Sequence, residues 1–168
     1  QDKKNLAGRA GRFYRERPRN ASGQTRRYHI PIGQERSRQL DALVTTKGFA
    51  SFSRELSCMQ VFATALFAYL NRVTGRETLA VGTPSHSRST PELRESVGLL
   101  ISIFPLYVEL GDSISFAQLH ALVARANQEL LMHGQPVVVS FLDSRAFDVV
   151  LNFIPSSFAQ FAGIPVHA

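Results

Sequence analysis

The sequence predicts an α/β fold in which helices pack against a mixed β-sheet, and three observations support this prediction. Residues 57–73 repeat apolar side chains at helical spacing. Residues 77–83 and 99–110 are short apolar runs of the kind found in buried strands. Helical and strand-like segments also succeed one another along the chain, which is typical of layered α/β proteins.

The first third of the chain predicts a helix, a strand and a second helix. Residues 4–17 form the first predicted helix, followed by a loop rich in turn-forming residues. Residues 25–32 alternate polar and apolar side chains, as a half-buried strand does. Residues 34–47 predict an amphipathic helix that ends at Gly48.

The clearest helix covers residues 57–73, with Ser57 as the expected N-cap and Gly75 as the expected stop. Its other face carries Ala65, Ala68 and Tyr69 instead of charges, so we expect burial on more than one side. The apolar positions at i, i+3, i+4 and i+7 spacing are Met59, Phe62, Ala63, Leu66, Phe67, Leu70 and Val73.

The second half predicts two strands, a long helix and two further strands. The strands at 77–83 and 99–110 are separated by a polar loop. Ser113 or Ser115 is expected to cap a helix that runs to about Met132. Residues 137–142 and 147–154 predict two more strands, the last of which ends at Pro155.

Length and composition predict one globular domain in a reducing compartment. The chain has 168 residues, of which 44% are hydrophobic, enough to form a core. No apolar run is long enough to span a bilayer, and residues 1–4 do not begin a signal peptide, so we expect a cytoplasmic location. Cys58 is the only cysteine; its apolar surroundings predict a small buried residue and not a nucleophile. The absence of an initial Met suggests a piece of a longer protein.

The net charge of +6 is concentrated near the N-terminus. Residues 1–38 hold 11 Lys and Arg against three acidic residues, whereas residues 39–168 hold eight against ten. A solvated surface explains this pattern most simply; docking to an acidic protein is the next interpretation. Nucleic-acid binding is the least favoured, because no aromatic platform or zinc-ligand spacing accompanies the basic block.

Residues 74–106 carry the most specific motifs of the chain. They read Thr-Gly-Arg-Glu-Thr-Leu-Ala-Val-Gly-Thr-Pro-Ser-His-Ser-Arg from 74 to 88, then Val-Gly at 97–98 and Phe-Pro-Leu at 104–106. This order and spacing resembles the condensation domains of nonribosomal peptide synthetases. The resemblance implies a chloramphenicol-acetyltransferase-like single lobe. Residues 1–168 would then be a partial C-terminal lobe, with residues 1–24 as a basic helix or linker.

The resemblance implies an acyl-transfer activity in which an amine attacks a thioester to form an amide. Both reactants would be tethered to phosphopantetheine arms of peptidyl carrier protein domains, and no cofactor would be bound directly. The family's catalytic sequence, His-His-x-x-x-Asp-Gly, lies N-terminal to the matched part, and this chain has no His-His pair. We therefore predict no catalytic residue here, an inactive isolated chain, and a missing N-terminal lobe as partner.

The resemblance also implies several site residues, with departures from the family pattern. Ser102 stands where the family usually has Asn, Ile103 where it has Thr, and Tyr107 where it has an Arg thought to steady the catalytic Asp. Tyr107 supplies no charge at neutral pH. Ser102 has two interpretations, a substrate-tunnel contact and a hydroxyl bonded to local backbone.

Asn152 is the residue that we most expect to touch substrate. It lies in the apolar run 149–154, where a buried amide needs hydrogen-bond partners, and the family carries a polar residue on the matching strand. Arg88 would hold its loop or contact a phosphopantetheine arm or carrier. His133 has a similar place to a family histidine and would likewise contact a carrier or a loop, although a position at a helix end already explains it.

Other interpretations stay open at this point. The five histidines lack metal-site spacing, so we predict no metal. Another branch of the superfamily, one that epimerises, cyclises or forms esters, would share the same lobe. A non-catalytic module that docks a carrier protein through its basic segment is the alternative from a different functional class.

Overall fold

A computed structural model describes residues 25–85, 90–98, 100–111, 113–133, 147–154, 160–161 and 164–165. The predicted helix at 4–17, the basic region 1–24 and the predicted strand at 137–142 lie outside these residues. The described helices are α1 Gln34–Val44, α2 Arg54–Thr74, α3 Pro91–Glu95 and α4 Phe116–His133. The described strands are β1 Thr78–Ser85, β2 Ser102–Glu109, β3 Gln160–Phe161 and β4 Ile164–Pro165.

Strands β1 and β2 form an antiparallel pair that runs from Thr78 opposite Glu109 to Ser85 opposite Ser102. β2 is buried in alternation, as expected for a strand with one face packed on a core, whereas β1 is buried continuously from Leu79 to Gly82. Strands β3 and β4 form a separate two-residue antiparallel pair, which the sequence did not predict. The strands expected at 77–83 and 99–110 are thus confirmed, the second with shorter bounds.

Residues 149–151 lie along the other edge of β1 and run parallel to it. Gly82 donates its backbone N–H to the carbonyl of Val149 at 2.8 Å, and Leu151 donates to the carbonyl of Gly82 at 2.9 Å. This single bridge, between Gly82 and Val150, replaces the strand predicted over 147–154. β1 therefore has an antiparallel neighbour on one side and a parallel neighbour on the other, which gives the predicted mixed arrangement.

Helices α2 and α4 pack together against one face of β1 and β2 and form the main core. Phe67 of α2 and Val123 of α4 are fully buried there, as are Leu79 and Val81 of β1. Apolar burial of this kind is the main stabilising term of such a domain. The architecture confirms the predicted α/β class. The buried members of this core are Ala63, Phe67, Leu70, Leu79, Val81, Leu106, Val108, Leu110, Leu119 and Val123.

Helix α1 packs on α2 through a second, smaller core. Val44 of α1 meets Cys58 and Val61 of α2, and Phe153 packs against this group. Cys58 is 3% exposed, which agrees with its predicted role as a small buried residue. On the surface, Arg54 of α2 donates a hydrogen bond from Nε to Oδ1 of Asp41 in α1 at 3.1 Å.

The helix ends follow from particular capping residues. Helix α2 begins one turn before the predicted start, because Ser53 and not Ser57 accepts the N–H of Leu56 at 3.1 Å. Its end at Gly75 is confirmed: this residue has φ +65°, in the left-handed region that glycine favours. At α4, Ser115 accepts the N–H of Gln118, whose side chain accepts the N–H of Ser115, a reciprocal cap.

Several predictions about the first half were wrong. Residues 25–33 form neither a strand nor a helix, because the alternating side chains have no neighbouring strand to pair with in the described structure. Helix α1 ends at Val44, where the side chains of Thr45 and Thr46 bond back to the Ala42 carbonyl. Helix α2 contributes to both cores and is thus buried on more than one side, as predicted, although Ala65 and Tyr69 are exposed. No helix of the described residues is long and apolar enough to cross a membrane.

Candidate functional site on the distal face of the sheet

The two faces of the sheet have different surroundings. Leu79, Val81, Leu106 and Val108 point to the face covered by α2 and α4. Because side chains alternate along a strand, the residues between them point to the opposite face, here called the distal face. We place the candidate site on the distal face, beside the 147–154 segment.

Gly82 fixes how the 147–154 segment lies on β1. Its neighbour Val81 points into the core, so any side chain at position 82 would point to the distal face. The ring of Phe147 occupies that place, with Cε2 only 2.4 Å from the position of a Cβ on residue 82. A glycine inside a strand often marks such a close approach, a signal available in the sequence.

Asn152 lies on the distal face and is exposed. Val149 and Leu151 pack on the main core, and Phe153 packs near Phe62 with ring centroids 6.1 Å apart. Asn152 alternates with these core-facing residues. The amide is therefore not buried, although its place in an apolar run had suggested burial, and its substrate contact stays a prediction.

The surface around Asn152 is apolar. Val150 is 45% exposed and Ile154 68% exposed on the same segment, and Ile103 of β2 is 49% exposed. Continuing the register of the Gly82–Val150 bridge by two residues aligns Asn152 with Pro84, which pairs with Ile103. The amide of Asn152 is thus a hydrogen-bonding group beside exposed apolar side chains, a combination typical of ligand sites.

Ser102 is not on this surface. It pairs with Ser85 at the end of β2. It lies an even number of positions from Phe104 and Leu106 and therefore points, as they do, to the core face. The structure therefore does not bring Ser102 and Asn152 together, because alternate residues of a strand point to opposite faces.

Tyr107 does lie on the distal face, opposite Ala80 in the register. It is half-buried, and burial raises the pKa of its phenol because the charged form is disfavoured. Tyr107 is consequently neutral at physiological pH and provides a hydroxyl where the resembling family has a cation.

Two other predicted site residues have no described side chain. Arg88 lies in the segment 86–89, outside the described residues. His133 is the last residue of α4, and its side chain is likewise outside them. Their predicted contacts stay predictions.

A buried polar group between α2 and α4 was missed by the sequence reasoning. His120 and Asn127 are each 2% exposed and line a pocket with Gln60. Burial lowers the pKa of His120, because it disfavours the charged ring. The nearby Gly48 backbone raises the pKa in part, although no hydrogen bond joins it to either ring nitrogen. The signal was their spacing on α4, where positions 120, 123 and 127 share one face. Among the described side chains, no group of three or more His, Cys, Asp or Glu could hold a metal.

Helices packed on one face of a mixed sheet occur in many protein families, so the fold alone does not identify the family. Comparison with known proteins does. The family model described as Condensation domain matches residues 18–136. The chain therefore belongs to the condensation-domain family, in agreement with the motifs at 74–106.

Solved structures agree on the fold. The first condensation domain of the CDA synthetase superposes with a TM-score of 0.56 at 22% identity, covering 70% of this chain and 25% of that one. The condensation domain of the Monacolin K polyketide synthase MokA gives a TM-score of 0.52 at 18% identity, with the same two coverages. This chain thus corresponds to about a quarter of each of those chains.

The chain is also similar to a part of a named peptide synthetase. Phosphinothricin tripeptide synthetase PhsC of Streptomyces viridochromogenes is 29% identical over 119 residues. The match covers 71% of this chain but 10% of that relative. The chain is therefore similar to a small part of a much larger protein.

Proposed function

We propose that this chain serves a condensation domain of a nonribosomal peptide synthetase by building one wall of its acyl-transfer site. In that reaction an acceptor amine attacks the carbonyl carbon of a donor thioester. The new C–N bond replaces the C–S bond, and the amine proton leaves with the thiolate. The observation that carries this proposal is Asn152, exposed on the apolar distal face of a lobe whose sequence matches the family.

The distal face suits the wall of a site for a tethered acyl chain. Its exposed aliphatic groups, Val150, Ile103 and Ile154, can contact apolar parts of a substrate. The side-chain amide of Asn152 can both donate and accept hydrogen bonds, which is how a mostly apolar site orients an amide or ester. Tyr107 adds a neutral hydroxyl on the same face.

The proposed partners follow from the same reaction. Peptidyl carrier protein domains would deliver the acyl groups on phosphopantetheine arms. A lobe containing His-His-x-x-x-Asp-Gly would cover the distal face and supply the histidine that acts as base or orients the amine. We propose no directly bound cofactor, because the reaction needs only acid–base and electrostatic groups.

The direct test begins with the native gene product, whose intact mass and flanking sequence establish whether that catalytic motif is present. The protein is then assayed for amide formation between carrier-bound thioesters, in parallel with the 168-residue chain. We expect amide product only where the His-His-x-x-x-Asp-Gly lobe is present. A native protein without that lobe, or one that has it and forms no product with any carrier-bound pair, would contradict the proposal.

A second candidate function, non-catalytic docking of a carrier protein, is favoured by the placement of the basic residues. Arg26, Arg27 and Arg36 are all exposed in the described part of the N-terminal basic block. A cluster of exposed cations attracts an acidic protein surface by forces that salt screens.

Titration with a peptidyl carrier protein at 50 mM and 500 mM salt separates the two candidates. Docking through the basic block predicts that Kd rises roughly tenfold or more at high salt. The double variant R26Q/R27Q should show weaker binding and a smaller salt dependence. R72Q/R125Q, which removes two exposed cations outside the basic block, serves as the charge-matched control. Binding that ignores both salt and R26Q/R27Q would exclude electrostatic docking through this block.

The chain departs from the family pattern at Ser102, Ile103 and Tyr107, so another branch of the same enzyme class stays an alternative. A member that epimerises, cyclises or forms esters would use the same lobe with other substrates. Mass analysis of the products in the amide assay distinguishes these branches.

A further inference from the structure

Strand β2 has a neighbour on one side only within the described residues. Its inner edge pairs with β1 from Ser102 to Glu109, and no described strand lies along its outer edge. The 147–154 segment pairs with β1 instead, on the side away from β2. A strand edge of this kind offers unpaired backbone groups to any other extended chain.

The hydrogen bonds of Gly82 show which way the backbone of Pro105 faces. Gly82 directs its N–H to the carbonyl of Val149 and its carbonyl to the N–H of Leu151, so neither group is directed at β2. Gly82 and Pro105 lie opposite each other in the register. They therefore form a non-hydrogen-bonded pair, in which the backbone groups of each residue point away from the other strand.

Every second residue of β2 has this outward direction. Leu110, at an inward position, donates its N–H to the Glu77 carbonyl at 2.7 Å, as the alternation requires. The outward backbone groups make no hydrogen bond within the part of the chain that the structure describes. Pro105 is the one outward residue without an N–H, and its ring fills the place of that donor. The outward residues are Ile103, Pro105, Tyr107 and Glu109.

Apart from Pro105, the outer edge of β2 is suited to pairing. The strand is eight residues long, its register with β1 has no bulge, and Glu109 at its end carries its only charge. Ile103, near the other end, is 49% exposed. Proteins keep such edges unpaired with proline, charged side chains or bulges. Along the middle of β2, Pro105 is the only one of these devices.

We propose that Pro105 prevents the outer edge of β2 from pairing with the same edge of a second copy of this chain. Antiparallel pairing over the whole strand would place Pro105 opposite Tyr107 and Ile103 opposite Glu109, with a two-fold axis beside Leu106. At each of the two central pairs, the Tyr107 carbonyl would then lack its donor. Leaving buried carbonyl groups unsatisfied makes this pairing unfavourable. The assignment does not depend on the proposed acyl-transfer function.

Charge repulsion does not account for an unpaired edge. In the whole-strand register the two Glu109 side chains would lie at opposite ends of the paired strands, each beside an Ile103 of the other copy. Carboxylates so far apart repel each other weakly in water. The missing donor at Pro105 is therefore the main obstacle to pairing.

Pro84 of β1 shows the same effect inside the described structure. It lies two residues from Gly82 and so also faces the 147–154 segment, where an N–H would reach the carbonyl of Leu151. The ladder stops there: beyond the bond from Leu151 to Gly82, no backbone hydrogen bond joins β1 to the described part of this segment. A proline at an outward position thus ends strand pairing in this sheet.

Restoring the missing N–H tests the role of Pro105. We would measure the self-association of the 168-residue wild type, Pro105→Val and Pro105→Ala by sedimentation over a hundredfold range of concentration. Each central pair regains a hydrogen bond, so the dimer Kd should fall roughly tenfold to a hundredfold in both variants. Pro84→Val is the matched control, because it restores an N–H that faces the 147–154 segment, and its Kd should equal that of the wild type.

Amide hydrogen exchange locates the interface. The N–H of Tyr107 faces the outer edge, so its protection should rise with concentration in both Pro105 variants and stay constant in the wild type. Circular dichroism and thermal unfolding check that each variant is folded. Tighter association of both variants, together with this protection of Tyr107, supports the proposal.

Several results would overturn the proposal. One is equal association of the wild type and both Pro105 variants, and another is equally tight association of Pro84→Val. Tighter association of Pro105→Val alone would assign the effect to the side chain and not to the N–H. Protection of the wild-type Tyr107 amide that rises with concentration would show that the edge pairs despite the proline. Failure of both Pro105 variants to fold would mean that the β1–β2 pair itself requires Pro105.

Discussion

The ring of Phe147 fills the space that a side chain at position 82 would need, 2.4 Å from where its Cβ would lie. The same glycine exchanges two backbone hydrogen bonds with Val149 and Leu151. Gly82 therefore determines how closely the segment that bears Asn152 can approach β1.

Gly82→Ala should destabilise the fold by about 1–3 kcal/mol, because the added methyl group displaces the Phe147 ring. Urea denaturation measures this change. Gly111→Ala is the control, since nothing lies within 4 Å of a Cβ there, and it should change the free energy of unfolding by less than about 0.5 kcal/mol. In a Phe147→Ala background the cost of Gly82→Ala should fall; an unchanged cost would contradict the steric explanation.

Ser53→Ala should lower the free energy of unfolding by about 1 kcal/mol, because the N–H of Leu56 loses its acceptor at the start of α2. Ser53→Asp keeps an acceptor and should retain most of the stability. Thermal and urea unfolding of both variants check this. Equal losses for Ala and Asp would show that the hydroxyl acts otherwise than as a cap.

His120 should make the fold less stable as the pH falls. Burial lowers its pKa in the folded state below the ordinary value of about 6.5, so the unfolded chain binds more protons between the two values. The stabilising contribution is therefore present above the unfolded value of about 6.5 and is lost as the pH falls from there through the lower pKa of the folded state. Urea unfolding from pH 8 to 5 measures the effect.

His120→Phe should flatten this pH dependence, whereas Thr64→Val, at a buried side chain that does not titrate, should keep the wild-type slope. A His120→Phe protein with the wild-type slope between pH 7.5 and 5.5 would locate the responsible protonation elsewhere.

Asn152→Ala should impair acyl transfer in the native synthetase without harming the fold. We expect kcat/KM for amide formation to fall about tenfold, from the loss of one hydrogen bond to a polar substrate group. Because Asn152 is exposed, the free energy of unfolding should change by less than about 0.5 kcal/mol.

Ser102→Ala is the informative comparison, because both residues are predicted substrate contacts and they lie on opposite faces of the sheet. A larger effect at Asn152 agrees with the distal face as the tunnel wall. An effect at Ser102 with none at Asn152 would place the substrate on the other face.

The sequence predicted best where side-chain periodicity alone decides the structure. The buried stripe of α2 and the left-handed end at Gly75 were both visible, since each depends on local spacing or backbone freedom. The choice between Ser53 and Ser57 was not, because Ser57 is buried and its hydroxyl bonds back to Ser53 and accepts the N–H of Ser51. A sequence pattern alone cannot tell which of two serines four residues apart is the N-cap.

Long-range relationships were harder to predict. Residues 25–32 alternate like a strand, but a strand also requires an adjacent partner, which a local pattern cannot supply. Asn152 is exposed because apolar residues on either side of it, Leu151 and Phe153, pack inward, and its predicted substrate contact stays a prediction. The sequence could not predict that Ser102 lies on the opposite face from Asn152. That placement depends on the register of β1 and β2, which only the three-dimensional pairing provides.

The two neighbours of β1 lie at different distances from it along the chain, and this difference has kinetic consequences. β2 follows β1 closely in the sequence, whereas Val150 is separated from Gly82 by β2 and α4. Contacts between distant residues form late and open first, since closing a long loop costs more entropy. We expect the amide of Leu151 to exchange with deuterium well before those of Val81 and Leu106. The segment that carries Asn152 would then dock and undock on a folded scaffold, and acyl transfer would depend on how much of the time it is docked.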